Sequence, residues 1–300
     1  MTQKFSDKFY QSLRCPTCKQ VLSFRKNTGN LVCQNHGEFP VNAGIVSFSG
    51  NKKFGNHWEN YSINPLPDSK VKSAKRFLDT VKSKRYSSDL PFILDAGCGD
   101  GVHVVALSEM DSLPSESVTI GLDISMTALQ TARLQKGGRE WFYVQEDMSK
   151  TPFPDELFDV IFSYGALTYT DNPEDTFNEL CRILKPGGWL GIWAYPKRKG
   201  LGGLLFKLVR TLCRITGKWG TKILANSLVP FLGLLPTQSG VHLGNASWKQ
   251  CQEVIMVNIA PKRIKFPETR EVMQWFEDNS LEILFEDKLN PITIWGEKPK

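Results

Sequence analysis

Five short apolar runs between residues 92 and 195 alternate with segments in which apolar residues recur at helical spacing. Such continuous runs are typical of strands buried on both faces of a sheet, and helical crossovers between them make the sheet parallel. After residue 268 the pattern continues with one helix and two more strands. The chain therefore predicts an α/β fold with a doubly wound, mostly parallel sheet of seven strands. The predicted strands are residues 92–96, 118–124, 141–145, 157–163, 189–195, 281–285 and 291–296, and the last helix is 270–279.

An insertion at about residues 197–268 interrupts this plan after the fifth strand, and it begins with an amphipathic helix. Two interpretations stay open. The helix can belong to a lid whose apolar face packs on the core and whose basic face is wet, which is the commoner arrangement, or it can lie on an anionic membrane surface. The basic face is predicted to be Lys207, Arg210, Arg214 and Lys218, and the apolar face Leu204, Leu205, Leu208, Leu212 and Ile215.

Two ligand pairs near the N-terminus, Cys15 with Cys18 and Cys33 with His36, each enclose two residues and are fourteen residues apart. Two tight turns that aim three sulfurs and one imidazole inward satisfy a tetrahedral zinc ion and close its coordination sphere. A module of about 50 residues buries too little apolar surface to fold alone, so the metal would supply the missing stability. We therefore predict a structural zinc site.

The predicted domain organisation follows from these segments. It consists of a zinc ribbon at 1–50, a linker with a helical lid at 51–90, and an α/β domain at 91–300 that carries the cap insertion. We expect the zinc module to be separable, so that loss of its metal leaves the α/β domain able to bind its ligand.

The first strand of the α/β domain runs from Asp95 into a glycine-rich turn that contains Gly97, Gly99 and Gly101. Glycines let the backbone approach a ligand closely, and the helix predicted from about residue 102 offers free N–H groups at its start. The spacing differs from the G-x-G-x-x-G turn of dinucleotide oxidoreductases, which disfavours that class.

Carboxylates follow the second and third strands, at the sheet edge where ligands of parallel α/β folds bind. Asp123, followed by Ile124, can accept hydrogen bonds from both ribose hydroxyls of an adenosine. Asp147 can accept from an adenine amino group, and Met148 can pack on the ring. These residues predict an adenosine site.

Taken together, the segments LDAGCGDG, GLDIS, EDM, FDVIFS and LKPGG resemble class I S-adenosylmethionine (SAM)-dependent methyltransferases of the type 11 group, in order over about residues 92–195. The resemblance implies a Rossmann-like fold and SAM as cofactor. It also implies that residues 95–101 surround the methionine portion, Asp123 holds the ribose, Asp147 and Met148 hold the adenine, and Ser163 to Gly165 face the transferred methyl.

Residues 13–48 look like the zinc ribbons that precede some bacterial methyltransferases, among them ribosomal-RNA guanine methyltransferases. We expect methyl transfer to a small or lipophilic metabolite. The alternative is an RNA methyltransferase, acting on a ribosomal RNA base, that binds its substrate through the zinc ribbon. A non-catalytic adenosine-binding protein is a third interpretation.

The net charge of +6 conceals two basic flanks around an acidic centre. Residues 1–90 and 197–270 carry excess Lys and Arg, so an anionic partner, RNA or lipid, would meet the flanks. No apolar run is long enough for a membrane-spanning helix, and the first residues lack a signal-peptide core. Scattered cysteines favour a reducing compartment, so we expect a cytoplasmic protein, with peripheral contact at the inner membrane face if the basic cap meets lipid.

Methyl transfer is an in-line displacement, so the enzyme mainly holds the acceptor beside an already activated methyl. A general base is required only for an acceptor that must lose a proton. The candidates are His57, His103, Tyr169, Asp171 and His242, none of which the local pattern distinguishes.

Overall fold

A computed structural model describes residues 3–49, 68–84, 89–110, 116–135, 137–195, 200–232, 264–287 and 292–300, together with residues 66, 86, 113, 114 and 197. The N-terminal part begins with helix α1 (Gln3–Ser12). A small antiparallel sheet follows, in the order β1-β2-β3, and then two short strands that leave it. These strands are β1 (Ser23–Arg25), β2 (Asn30–Cys33), β3 (Gly37–Phe39), β4 (Val41–Asn42) and β5 (Ile45–Ser47).

The seven strands predicted for the α/β domain are all present, in one mostly parallel sheet. They are β6 (Phe92–Ala96), β7 (Val118–Asp123), β8 (Trp141–Gln145), β9 (Phe158–Tyr164), β10 (Leu184–Ala194), β11 (Glu282–Asp287) and β12 (Ile292–Glu297). The helices are α2 (Asp68–Asp79), α3 (Val102–Ser108), α4 (Met126–Leu134), α5 (Pro173–Ile183), α6 (Gly200–Leu232) and α7 (Thr269–Asp278).

The sheet has nine strands rather than seven, because the N-terminal module contributes two. The order is β11-β12-β10-β9-β6-β7-β8-β5-β4, with β12 antiparallel to both of its neighbours. Strand β5 pairs in parallel with β8, and β4 folds back on β5 through a turn at Gly44, whose φ of +77° favours glycine. The fold class is confirmed, and the sheet is wider than the sequence indicated.

Two apolar clusters cover the sheet, and alternate strand residues belong to one or the other. Helices α1, α5 and α7 contribute to the first, where Phe177 and Phe276 lie 4.8 Å apart between ring centroids. Helices α2, α3 and α4 contribute to the second, where Phe77 of α2 lies 4.9 Å from the fully buried Trp295. Helices on both faces make the sheet doubly wound.

The N-terminal module shares its core with the sheet. Phe9 of α1 is fully buried and stacks on Phe142 of β8 at 4.6 Å between ring centroids. The Arg14 backbone N–H donates to the Pro152 carbonyl at 2.8 Å, and Lys19 Nζ donates to the Thr151 carbonyl at 3.0 Å. The module and the α/β domain therefore share one apolar cluster, whereas the sequence indicated two separable units.

Helix α6 presents a row of its large apolar residues to solvent, which differs from the lid interpretation, in which that face packs on the core. Leu208 is 55% exposed, whereas Arg210 is only 8% exposed and Cys213 is buried. The Arg210 guanidinium donates to the Ile264 carbonyl at 3.2 Å and lies 5.4 Å from the Phe266 ring centroid. A long side chain with a carbonyl and an aromatic ring to contact can be buried in place of a leucine.

The exposed apolar stripe of α6 continues past Gly217, whose φ of +64° interrupts the helix. Within the described residues, no helix combines the length and the apolarity that crossing a bilayer requires. Residues 233–263 of the insertion and the side chains of Leu205, Arg214 and Lys218 lie outside the described part of the chain. The stripe consists of Leu204, Leu208, Leu212, Ile215, Trp219 and Ile223.

Candidate functional site

The glycine turn between β6 and α3 brings three loops together at one point. Gly97 has a φ of +80°, and a Cβ there would lie 2.1 Å from the Ala166 Cβ and 2.7 Å from the Met148 Cε. The loops after β6, β8 and β9 therefore meet at Gly97, where only glycine fits. Gly99 and Gly101 also have positive φ, which strains any other residue.

The Asp123 carboxylate at the end of β7 is oriented by two backbone donors. Its Oδ2 accepts from the Gly99 N–H at 3.0 Å and its Oδ1 accepts from the Ser125 N–H at 2.9 Å. Each oxygen keeps a second lone pair that can accept from a ligand hydroxyl. Burial raises the pKa of the Asp123 carboxyl to about 6, against which the two N–H donors act.

The segment after β8 holds the second predicted carboxylate. Asp147 Oδ1 accepts from both the backbone N–H and the hydroxyl of Ser149, at 2.9 and 2.8 Å, and so closes the turn. Met148 is buried against Gly97. The backbone carbonyl of Ile124 accepts from Gln145 Nε2 at 3.1 Å, which connects the ends of β7 and β8.

Asp95 and Ser163 lie at the carboxyl ends of the adjacent strands β6 and β9, and both are fully buried. Asp95 Oδ2 lies 2.8 Å from His103 Nδ1. Within the described part of the chain, Asp95 Oδ1, Ser163 Oγ and His103 Nε2 find no hydrogen-bond partner. Buried polar atoms normally have partners, so these atoms fit a polar ligand or water between the two strand ends.

His103 is the partner of Asp95 rather than a solvent-exposed base. It is buried, and its ring lies 4.9 Å from the Phe162 ring and 5.3 Å from the Tyr164 ring. Of the other base candidates, Tyr169 lies in a short 3₁₀ helix (Leu167–Tyr169) directly after the β9 loop, and Asp171 follows it at an exposed position. His57 and His242 lie outside the described residues.

Helix α2 adds two contacts that the sequence pattern did not reveal. Lys70 Nζ forms an ion pair with Asp100 of the glycine turn at 2.7 Å, and the Ser73 hydroxyl lies 2.7 Å from the Tyr164 hydroxyl. Lys70 and Ser73 are one helical turn apart, which places them on one face, but no local pattern indicates what that face contacts.

Cys15, Cys18, Cys33 and His36 meet as predicted, with all four ligand atoms within 4.8 Å of one another. The contacts are 3.5 Å from Cys15 Sγ to His36 Nδ1, 3.5 Å between Cys18 and Cys33 Sγ, and 3.6 Å from Cys33 Sγ to His36 Nδ1. Zinc bonds of about 2.0–2.3 Å in a tetrahedron separate ligand atoms by about 3.5–3.8 Å. The cluster therefore fits zinc.

The Cys33 thiol has a lowered pKa, which favours metal binding. Burial alone would raise the pKa of the Cys33 thiol, but hydrogen bonds from His36 and from backbone N–H groups lower it to about 6. A thiol that ionises near neutral pH loses its proton to a metal readily, and the thiolate is the form that binds zinc.

The fold is consistent with a class I SAM-dependent methyltransferase domain: a doubly wound sheet with a glycine turn after its first central strand and an acidic residue after the next. Residues 94–192 match the family model described as a methyltransferase domain. The chain therefore carries a methyltransferase domain, and SAM is the methyl donor that its family uses.

Curated relatives match about a third of the chain. A malonyl-acyl-carrier-protein O-methyltransferase of Legionella pneumophila is 33% identical over 99 residues, which are 33% of this chain and 34% of that protein. A Bacillus subtilis protein, provisionally named as a 23S rRNA (guanine-N(1)-)-methyltransferase, is 31% identical over 98 residues, 33% of this chain and 32% of that protein. The chain thus spans about a third of the length of these relatives.

A solved structure resembles more of the chain. It is the complex between the Trm112 methyltransferase activator of Haloferax volcanii and a methyltransferase, with a TM-score of 0.50 and 18% identity, covering 78% of this chain and 92% of that one. At this identity the likeness shows the fold alone.

We expect purified protein to contain about one zinc ion per chain, because the four ligands close a tetrahedral shell. Cys18→Ser should lower the zinc content to near zero and reduce thermal stability. Cys181→Ala, which changes a buried cysteine on α5, should keep the zinc. Elemental analysis measures the content, and wild-type protein that lacks zinc after mild purification would refute the site.

We expect SAM affinity to be constant at pH 7 and above and to weaken as the pH falls below about 6, because protonation of Asp123 replaces an acceptor by a donor. Asp123→Asn should weaken binding by about 10–100-fold, the equivalent of one or two charge-assisted hydrogen bonds, and flatten this pH profile. Calorimetry from pH 5 to 8 measures both effects. Asp7→Asn, at an exposed position on α1, should behave like wild type; a wild-type profile in the Asp123 variant would remove Asp123 from the site.

Proposed function

We propose that this protein transfers the methyl group of SAM to a small or lipophilic metabolite. The observation that supports the cofactor site best is the convergence at Gly97, where Met148 and Ala166 approach so closely that no side chain fits. The oriented carboxylate of Asp123 lies beside the same turn through its hydrogen bond with Gly99.

In this proposal the cofactor spans the carboxyl ends of the central strands. Asp123 and Ile124 hold the ribose, and Asp147 and Met148 hold the adenine. The methionine portion lies along the glycine turn, and its ammonium group suits the unpartnered oxygens of Asp95 and Ser163. The residues along the methionine portion are Asp95, Gly97, Gly99, Gly101 and Ser163.

For methyl transfer, the protein chiefly has to bind SAM and the acceptor and to orient them. SAM supplies a methyl that its sulfonium already activates. Lys70 fixes the glycine turn through Asp100, and Ser73 fixes Tyr164 at the end of β9. With the turn and the β9 loop held, the acceptor can be kept in line with the sulfur, which is the main contribution to the rate.

An aromatic wall beside Gly165 supports an apolar acceptor. The Tyr164 and Trp193 rings stack at 4.3 Å, and the Trp193 and Tyr195 rings lie 4.7 Å apart. A Cβ at Gly165 would lie 3.4 Å from both Trp193 and Tyr195, so these rings adjoin the loop that faces the methyl. Apolar walls with few polar groups are typical of sites for small molecules.

RNA is the second candidate, supported by the name of the Bacillus relative and by the basic flanks. Contacts within the zinc module weigh against it. Arg14 donates to the carbonyls of Gln11 and Leu13, Lys19 donates to Thr151, and Arg25 pairs with Glu38. Cations that already have a hydrogen-bond or ion-pair partner within the protein are less available to phosphates, on which RNA affinity largely depends.

The exposed apolar stripe of α6 suggests how a lipophilic acceptor could arrive. Trp219 is 83% exposed and Ile215 is 76% exposed, on a segment rich in Lys and Arg. Apolar side chains beside basic ones suit the interface of an anionic membrane. We therefore include peripheral membrane contact through the cap in the proposal.

Labelling a cell extract with methyl-tritiated SAM tests the function. We expect label in the organic-soluble or small-molecule pool when wild-type protein is added, and about 10–100-fold less with Asp123→Ala because SAM binds more weakly. Label confined to RNA would replace the proposed substrate class by the alternative. Equal labelling with wild type and variant in every pool would argue against a methyltransferase.

Vesicle sedimentation tests the membrane contact. We expect wild type to sediment with phosphatidylglycerol vesicles at low salt and to dissociate as salt screens the attraction. Leu208→Gln combined with Leu212→Gln should weaken binding by at least about 10-fold, since each buried leucine contributes about 1.5–3 kcal/mol. Val21→Gln, at an exposed apolar position in the zinc module, is the matched control. Wild type that stays in the supernatant at low salt would exclude this contact.

A further inference from the structure

Two chains of hydrogen bonds run from the end of the N-terminal module into the proposed adenosine site. In the first, Ser47 Oγ donates to Gln145 Oε1 at 2.6 Å, and Gln145 Nε2 donates to the Ile124 carbonyl at 3.1 Å. In the second, Ser49 Oγ donates to Glu146 Oε1 at 2.6 Å, and the same oxygen accepts from the Asp147 N–H at 2.8 Å. Each chain ends at a residue assigned to the cofactor.

Both chains are buried. The serine and its partner are at most 8% exposed in each case. The backbone follows the same course, because Ser47 pairs with Gln145 in the β5–β8 ladder and the Phe48 N–H donates to the Gln145 carbonyl at 3.0 Å. The segment after β8 is thus bordered along its length by residues 47–49.

The same residues connect back to the metal cluster. Cys33 ends β2, and β3 begins directly after His36. From β3, the Phe39 ring packs on the Phe48 ring at 4.8 Å, and the Ser47 N–H donates to the Pro40 carbonyl at 2.9 Å. The hairpin that carries two of the metal ligands therefore holds the segment that holds the proposed adenine loop.

We propose that the zinc module is part of the cofactor site, with Ser47 and Ser49 as positioning residues that couple metal binding to SAM affinity. This proposal rests on the proposed function, since it takes residues 124 and 147 as cofactor contacts. Neither serine touches the cofactor in this arrangement; each acts through Gln145 or Glu146.

Removing the metal would release the β2–β3 hairpin and, with it, the partners of two buried polar side chains. Glu146 would lose a donor, and Gln145 would lose the contact that aims its amide at Ile124. An unsatisfied buried polar group is costly, so these side chains would seek other partners and the loop would leave its binding geometry. SAM would then have to reorder the loop, which lowers its affinity.

Coupling of this kind is reciprocal. If bound zinc raises SAM affinity by some factor, bound SAM raises zinc affinity by the same factor. This equality holds for any mechanism of coupling, so the informative quantity is the size of the factor in the serine variants. A merely structural role for the serines would lower stability and leave the factor as in wild type, whereas a positioning role lowers the factor itself.

The test uses all 300 residues of the chain, with SAM and zinc as probes. We expect Ser49→Ala and Ser47→Ala to keep their zinc and to bind SAM about 3–10-fold more weakly by calorimetry, as loss of a buried hydrogen bond predicts. Ser49→Thr, which keeps the hydroxyl, should restore most of the affinity. Ser23→Ala is the matched control, because Ser23 lies in the same module on the exposed strand β1.

Chelator-treated wild type should bind SAM at least about 10-fold more weakly, and saturating SAM should slow zinc loss to a chelator in wild type more than in Ser49→Ala. Wild type that binds SAM equally well with and without zinc, with both alanine variants unchanged, would overturn the coupling and leave the proposed function intact. Wild type that binds no SAM with its zinc in place would overturn both.

Discussion

No atom larger than hydrogen fits on the Cα of residue 97, and the rest of the site depends on that constraint. The positive φ of Gly97 turns the chain at the end of β6, and the N–H groups of Gly97 and Cys98 both donate to the Leu122 carbonyl, at 2.7 and 3.0 Å. These hydrogen bonds join the turn to β7 and so fix the position of Asp123 relative to the turn. Met148 and Ala166 then complete a small enclosure whose walls come from four strand ends.

Around this enclosure the protein accepts buried polar atoms that an ordinary core would exclude. Asp95 and Ser163 are fully buried, and Asp123 remains an acid whose pKa burial raises towards neutrality. Such groups are costly in an apolar environment, and proteins retain them chiefly at binding sites, where a ligand satisfies them. Burying these polar groups lowers the free energy of unfolding, and the extensive apolar clusters on both faces of the sheet offset that cost.

The sequence predicted those features of the fold and site that a local residue pattern encodes. Continuous apolar runs located all seven strands of the α/β domain, and the paired spacing of Cys15, Cys18, Cys33 and His36 located the Cys/His cluster. The additional strands β4 and β5 were not predicted, because at two and three residues they are too short for a period of apolar and polar positions to be recognised. The Asp95–His103 pair was not predicted. Both residues were noted separately in the sequence, but only the three-dimensional course of the glycine turn brings their side chains into contact.

The orientation of α6 escaped for a different reason. Periodicity separates the two faces of a helix but does not say which one the protein covers. Arg210 is buried because Phe266 and the Ile264 carbonyl lie opposite it, and those residues are more than fifty positions away in the chain. The lid interpretation assumed that hydrophobic burial determines which face of the helix packs on the protein. In this structure the contact between the Arg210 guanidinium and the Ile264 carbonyl determines it.

The β5–β8 pairing also determines the order in which the protein can be completed during synthesis. Ser47 contacts Gln145, 98 residues further along the chain, so the N-terminal module leaves the ribosome long before its place in the sheet exists. Contacts of such sequence separation form late, because closing a long loop costs entropy before any contact compensates for it. Until β8 emerges, strand β5 and the apolar face of α1 lack their partners. A metal bound early would keep the nascent ribbon compact during that interval and limit its exposure to other unfolded chains.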